Sequence, residues 1–308
     1  MLIASQLRRR RELAPAGRSY RELGVRKPWY GLVRHVDVAG RGEGAARLDR
    51  PDGLAELEAD HRFTALAPEL RDGLRSWPEN GYLEAKGFFD PETVAELNSD
   101  VDRLSGSGSI REHVRAPRFM NIHSQSAAAA RIAKDPRLLE LLELILGRSA
   151  QLFQTISFVR GSQQAAHSDA FHMMTEPPGF LVGAWIALED VEDGSGPVFY
   201  LPGSHRLPYV MSEDLDLPSA GPLLVPDKGP AYVRRIGEVA EGAGIEPRRF
   251  TAKAGDLLLW HHNLLHGGSA IERPGSTRRS LVGHYFAEGV LCYHEVAERP
   301  VLLPVGDR

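Results

Sequence analysis

The sequence predicts a mainly β protein: an antiparallel barrel or sandwich with helices packed on its outside. Three observations lead there. After Ser149, short runs rich in β-branched and aromatic residues recur between Gly/Pro turn signals. The helical patterns fall mostly before Ser149, and such segregation favours helices laid against one β core. No internal repeat or low-complexity tract interrupts the chain.

Taken in order, residues 1–75 carry a basic run, Arg8 to Arg11, continued by Arg18, Arg21, Arg26 and Lys27. They read as a partly ordered N-terminal extension, with Trp29 and Tyr30 packing part of it down. From Leu66 the pattern turns helical. Tyr82, Leu83, Phe88 and Phe89 suggest a short strand. Asp90 is a good N-cap with Pro91 in the first helical position, and Val94, Leu97, Val101 and Leu104 keep the helical period. A second helix follows over residues 135–146, capped by Asp135, opened by Pro136 and closed by Gly147. Strands are then expected at 151–159, 181–188, 198–201, 222–225, 249–252, 256–261 and 280–286. Residues 207–246 are long for one connection and suggest a lid-like insertion. The domain is therefore expected over 76–308.

Composition narrows the function. The 308 residues are 42% hydrophobic and 25% charged, with a net charge of -4. That is ordinary for a water-soluble globular protein and favours neither nucleic acid nor an anionic membrane as partner. One cysteine, Cys292, excludes an internal disulfide and a cysteine-based zinc site. No apolar run reaches the roughly 18 residues of a spanning helix. The N-terminal charges follow a very short apolar stretch, the reverse of a secretory signal, so a cytoplasmic location is expected. A homo-oligomer remains open.

The stretch that could carry chemistry is FQTISFVRGSQQAAHSDAFH, residues 153–172. On an extended chain, His167 and Asp169 point to one face. A distant histidine, His266, would complete two imidazoles and a carboxylate, the set that leaves open positions on non-haem Fe(II). A lone His-x-Asp is weak, and the chain contains another, His35-Val36-Asp37, in its N-terminal part. His261 and His262 lie close to His266 and compete with it. His205 reads as a structural turn histidine.

The context of the second copy is more specific. His167-x-Asp169 is followed by GAWIALEDVEDGSGPVFYLPGSHR, then KAGDLLLWHHNLLHGGS, then TRRSLVGHYF. In that order, with the earlier GYLEAKGFFDPETVAEL, these motifs resemble the phytanoyl-CoA dioxygenase family of Fe(II)/2-oxoglutarate oxygenases, from about Gly81 to His284. The resemblance implies a double-stranded β-helix (jelly-roll, cupin-like) core. It implies His167, Asp169 and His266 as metal ligands, Fe(II) as cofactor, and 2-oxoglutarate and O2 as cosubstrates. It also implies an arginine for the far carboxylate of 2-oxoglutarate. Counting back from the HY pair selects Arg278 over Arg279, which would face outward. Trp185 matches a tryptophan near the cosubstrate. Gln154, on an otherwise apolar strand face, is a candidate cosubstrate contact. His172, Met173 and Met174 would rim the mouth, and Arg234 or Arg235 would meet an anionic group of a small-molecule substrate. An aspartate at 169, where radical halogenases of related fold have a small residue, implies oxygen chemistry: hydroxylation, or desaturation, epoxidation or ring formation. The competing readings are a jelly-roll protein that binds without turnover and an oxygenase using another metal.

Overall fold

Alternation along the central strands divides the molecule into an outer and an inner layer. The computed structural model describes residues 10–28, 33–110, 118–217, 228–301 and 303. The strands are β1 (Tyr82–Ala85), β2 (Arg118–Met120), β3 (Ala150–Phe158), β4 (Met174–Glu176), β5 (Leu181–Ala187) and β6 (Val198–Tyr200). They continue with β7 (Arg248–Phe250), β8 (Leu257–His261), β9 (His266–Gly268), β10 (Ser280–Ala287), β11 (Leu291–His294) and β12 (Arg299–Pro300). A six-stranded sheet runs β1-β8-β5-β10-β3-β2, and two three-stranded sheets run β7-β6-β9 and β12-β11-β4. Every pairing in the large sheet is antiparallel.

Successive side chains on a strand take opposite faces. Leu257, Leu259, Ala184, Ile186 and Leu281 therefore face outward, into one apolar core with the helices. Leu258, Trp260, Trp185, Val282, Ile156 and Phe158 face inward and meet Val198, Tyr200 and Phe250 of the small sheet. Two antiparallel sheets closing on a shared interior, with helices on the outer face of the larger one, form the expected double-stranded β-helix. Burial on both faces explains why β5 and β8 read as continuous apolar runs rather than alternating ones.

The helices are α1 (Arg10–Glu22), α2 (His35–Val38), α3 (Gly53–Ala59), α4 (His61–Ala65), α5 (Pro68–Asn80), α6 (Pro91–Gly106), α7 (Ala127–Ala133), α8 (Pro136–Leu146) and α9 (Gly229–Ala243). The Asp90 carboxylate accepts from the Thr93 N–H at 2.8 Å and opens α6. Asp135 accepts from Arg137 N at 2.8 Å and opens α8. Gly147 ends α8 in a left-handed conformation, φ 74°. No helix among the described residues is long and apolar enough to cross a membrane.

Several expectations need adjustment. Where described, residues 10–75 of the partly ordered extension pack on the body: Leu48, Leu57 and Phe63 sit in the main core, and Tyr20, Val33 and Val38 form a second cluster with Met174, Leu291 and Tyr293. The polar, arginine-rich sequence hid helices that bury only one to three side chains each. His35-Val36-Asp37 lies in α2, where Asp37 pairs with Lys27 at 2.6 Å. Arg8, Arg9, Trp29, Tyr30 and the strand expected at 222–225 fall outside the described residues. β1 stops at Ala85, so Phe88 and Phe89 lie between it and α6 rather than in a strand. β2, β4, β9, β11 and β12 were not expected; they are two to four residues long and exist through their partners, not through local propensity. Fifteen residues of the 207–246 connection form α9, whose Tyr232 and Ile236 pack on Phe171, Leu201 and Leu265.

Candidate metal centre

His167 and His266 are brought together by the backbone. The two residues exchange both backbone hydrogen bonds, His167 N to His266 O and His266 N to His167 O, each 2.9 Å. This single bridge sets their rings 4.4 Å apart. His167 is thus not on a regular strand, as the sequence suggested, but in an isolated bridge to β9. Ser168 remains extended (φ -104°, ψ 148°) and Asp169 opens a short 3-10 turn, Asp169–Phe171. That one extended residue suffices to keep His167 and Asp169 on one side.

One ligand atom from each of His167, Asp169 and His266 lies within 4.8 Å of the others, and all three residues are buried. Each histidine turns Nδ1 to a carbonyl two residues back: His167 to Ala165 O at 3.0 Å, His266 to Leu264 O at 2.9 Å. A carbonyl only accepts, so Nδ1 carries the proton and Nε2 presents a lone pair. Burial, reinforced by His266, pushes His167 down to about 3, so its imidazole is neutral at neutral pH. Burial alone would raise Asp169, but His266, His284 and His167 around it hold its carboxylate well below the usual range. Two imidazoles and one carboxylate suit a divalent metal with open positions. Gly267 lets this happen: a Cβ there would lie 2.6 Å from Gln164 O, in the segment leading to His167.

Arg278 precedes β10 and is 2% exposed. Its guanidinium lies 5.6 Å from the rings of both Phe158 and Trp185, and its Nε has no hydrogen-bond partner. Among the described residues no carboxylate hydrogen-bonds or ion-pairs with it, Glu189 acting only from farther off; burial pushes it down to about 10, still charged at neutral pH. A buried cation without a partner is costly, and a ligand carboxylate would complete it. Arg279 instead reaches Asn98 Oδ1 at 3.2 Å and Asp102 Oδ1 at 2.6 Å on α6. Trp185 is 1% exposed, beside Arg278, with its indole N–H unpartnered.

Gln154 lies on β3 with its amide 3.4 Å from His284 Nδ1 and 3.7 Å from Met173 Sδ. The His172 ring is 5.8 Å from that of His167. Other expected residues are not brought to this centre. Met174 faces away, into the cluster with Tyr20 and Tyr293, because it alternates with Met173 along the chain. Arg234 and Arg235 are exposed on α9, and Arg235 pairs with Glu238 at 3.1 Å. His205, His261 and His262 form a group of their own: the His261 ring is 5.3 Å from His205 and 4.7 Å from His262, and its Nε2 is 3.3 Å from Asp49 Oδ2.

Three residues at the centre escaped the sequence reading. Trp260 Nε1 donates to Asp169 Oδ2 at 2.7 Å. His284 Nε2 is 3.5 Å from the same oxygen. Tyr232 of α9 stacks on Phe171 at 3.7 Å, and its hydroxyl accepts from Ser168 N at 2.8 Å. The parity of Arg278, Ser280, Val282 and His284 on one strand was a usable signal for His284. Trp260 sits in an unbroken apolar run that shows no parity.

Three further histidines make stability pH-dependent. Burial pushes His262 down to about 3, and His205 and His294 down to about 4. Each stays neutral in the folded protein while the unfolded chain binds a proton below its usual 6.5. Their stabilising neutrality is thus present above 6.5 and is lost as pH falls toward the folded values. Each contributes up to about 1.4 kcal/mol per pH unit in that window. Urea unfolding at pH 7.5 and 5.5 should show a fall of up to about 4 kcal/mol for the three together; equal stabilities would refute this.

Comparison with known proteins agrees with this geometry. The phytanoyl-CoA dioxygenase (PhyH) family matches residues 77–280. An ectoine dioxygenase of Nocardia farcinica is 28% identical over 214 residues, covering 64% of this chain and 71% of that protein. Phytanoyl-CoA dioxygenase domain-containing protein 1 of Bos taurus is 39% identical over 135 residues, 44% of this chain and 41% of that one. Among solved structures, EctD from S. alaskensis with 2-oxoglutarate and 5-hydroxyectoine aligns with a TM-score of 0.52 at 22% identity, covering 69% of this chain and 74% of that chain. The epimerase SnoN in complex with Fe3+, alpha ketoglutarate and nogalamycin RO aligns with a TM-score of 0.57 at 22% identity, covering 78% and 96%. Likeness at that identity establishes the jelly-roll fold, and the family match covers most of the chain. The chain belongs to the phytanoyl-CoA dioxygenase family of Fe(II)- and 2-oxoglutarate-dependent oxygenases.

Proposed function

We propose that this 2-oxoglutarate-dependent dioxygenase hydroxylates a small organic molecule, one oxygen atom of O2 entering the product and the other entering succinate as 2-oxoglutarate loses CO2. The observation that carries the reading is the convergence of His167, Asp169 and His266 within 4.8 Å on the same jelly-roll interior as a buried arginine lacking a carboxylate. His167 and His266 would hold Fe(II) through Nε2, and Asp169 through one carboxylate oxygen. The bound iron would supply the activation of O2, coupled to oxidative decarboxylation of 2-oxoglutarate. Arg278 would grip the far carboxylate of the cosubstrate, its planar fork matching two oxygens at once. Trp185, with Phe158, walls the guanidinium off from water and strengthens that pairing. Gln154 would contact the cosubstrate from β3. His172, next to His167, would face the substrate.

The test begins without oxygen. Fe(II) and 2-oxoglutarate added together to the purified protein should give the weak visible charge-transfer band of a 2-oxo acid chelate. Folded protein without the band would favour a jelly-roll binder that performs no turnover. Aerobic succinate release across a panel of small molecules then identifies the substrate.

A further inference from the structure

We infer that Trp260 and His284 are positioning residues that tie down one oxygen of Asp169, so that only its other oxygen is presented to the metal. The inference rests on the iron-binding reading above and concerns how the aspartate is held. A carboxylate can bind a metal through one oxygen or both. Binding through both would consume a position that a bidentate 2-oxo acid and O2 require.

In this fold the two oxygens are not equivalent. Oδ2 faces the Trp260 N–H at 2.7 Å and His284 Nε2 at 3.5 Å. Oδ1 lies 3.7 Å from His266 Nε2, on the side of the histidine lone pairs. Sheet register produces the difference. Gln154, His284, Gly183 and Trp260 stand opposite one another across β3, β10, β5 and β8. A Cβ on Gly183 would lie 2.4 Å from Trp260 Cε2 and 2.5 Å from its Nε1. The missing side chain lets the indole lie across β5, so that it and His284 converge on one oxygen.

Gln154 extends the row. An ionised carboxylate only accepts hydrogen bonds, so His284 carries its proton on Nε2. Its Nδ1 then accepts from the Gln154 amide, 3.4 Å away. The glutamine fixes the tautomer with which His284 reaches the aspartate.

The experiment is an anaerobic Fe(II) titration of the apoprotein, with Co(II) absorption as a report on coordination number. Trp260→Phe keeps a ring in place and removes the donor. It should weaken Fe(II) binding by about 10- to 100-fold and change the Co(II) visible spectrum, while the melting temperature of the apoprotein holds. His284→Gln, which retains an N–H donor, should bind more like the parent than His284→Leu does. Gln154→Leu should weaken Fe(II) before any 2-oxoglutarate is present; a role confined to the cosubstrate would leave that titration unmoved. If Trp260→Phe does not fold, the two His284 variants carry the test. Folded Trp260→Phe and His284→Leu that bind Fe(II) within twofold of the parent, with superimposable Co(II) spectra, would overturn the inference. Failure of the iron reading itself would look different, because the parent protein would not bind the metal.

Discussion

His266→Ala protein is expected to fold and to lose its metal. The backbone pair between residues 167 and 266 needs no side chain, so the jelly-roll closure survives. What disappears is one of three ligand atoms gathered within 4.8 Å. A residue that merely supports a ligand costs about 10- to 100-fold in affinity, and a ligand itself should cost more. Anaerobic titration should therefore show Fe(II) binding weakened by more than about 100-fold. The charge-transfer band should vanish and succinate release fall to background. Binding within tenfold of the parent, in a protein whose circular dichroism is unchanged, would mean that the iron sits elsewhere.

Arg278→Leu should produce opposite effects on stability and on cosubstrate binding. The parent guanidinium is buried without a carboxylate, so the apoprotein bears a desolvation cost that an apolar side chain of similar bulk removes. The apo variant should melt at a temperature equal to or above that of the parent. Affinity for 2-oxoglutarate should fall by about 2–5 kcal/mol, or roughly 30- to 5000-fold, the usual cost of removing one partner of a buried charge pair. Adding 2-oxoglutarate should raise the melting temperature of the parent and not that of the variant. Arg279→Ala, which breaks only contacts to Asn98 and Asp102, serves as the control and should keep parent-like affinity. Loss of 2-oxoglutarate binding in that variant instead would reassign the anchor.

Much of this could be read from the residues. Asp90-Pro91 and Asp135-Pro136 announced their helices because a side-chain cap and a fixed φ act within one turn. In the large sheet β5 and β8 announced themselves by continuous apolar runs, whereas β2 did not. The small strands did not, since β9 is His266-Gly267-Gly268 and no local preference makes that extended; its ladder to β6 does. At the site, the grouping of His167, Asp169 and His266 was legible from spacing and family resemblance. The supports of Asp169 were not. Trp260, His284 and Gly183 lie on three strands and become neighbours only through register, which a one-dimensional pattern does not encode. Arg234 and Arg235 show the converse: an attractive charge pair whose helix leaves it exposed.

The N-terminal helices bear on what part of the chain is autonomous. The stretch shared with the family starts at residue 77, yet Leu57 and Phe63 are packed in the core with the large sheet, and Tyr20 and Val33 lean on β11, the neighbour of β4 just past His167 and Asp169. Homology and cooperativity therefore have different borders here. A fragment trimmed to the family-matched portion would bare greasy surface beside the very loop that carries His167 and Asp169, and would be expected to aggregate rather than to report on catalysis.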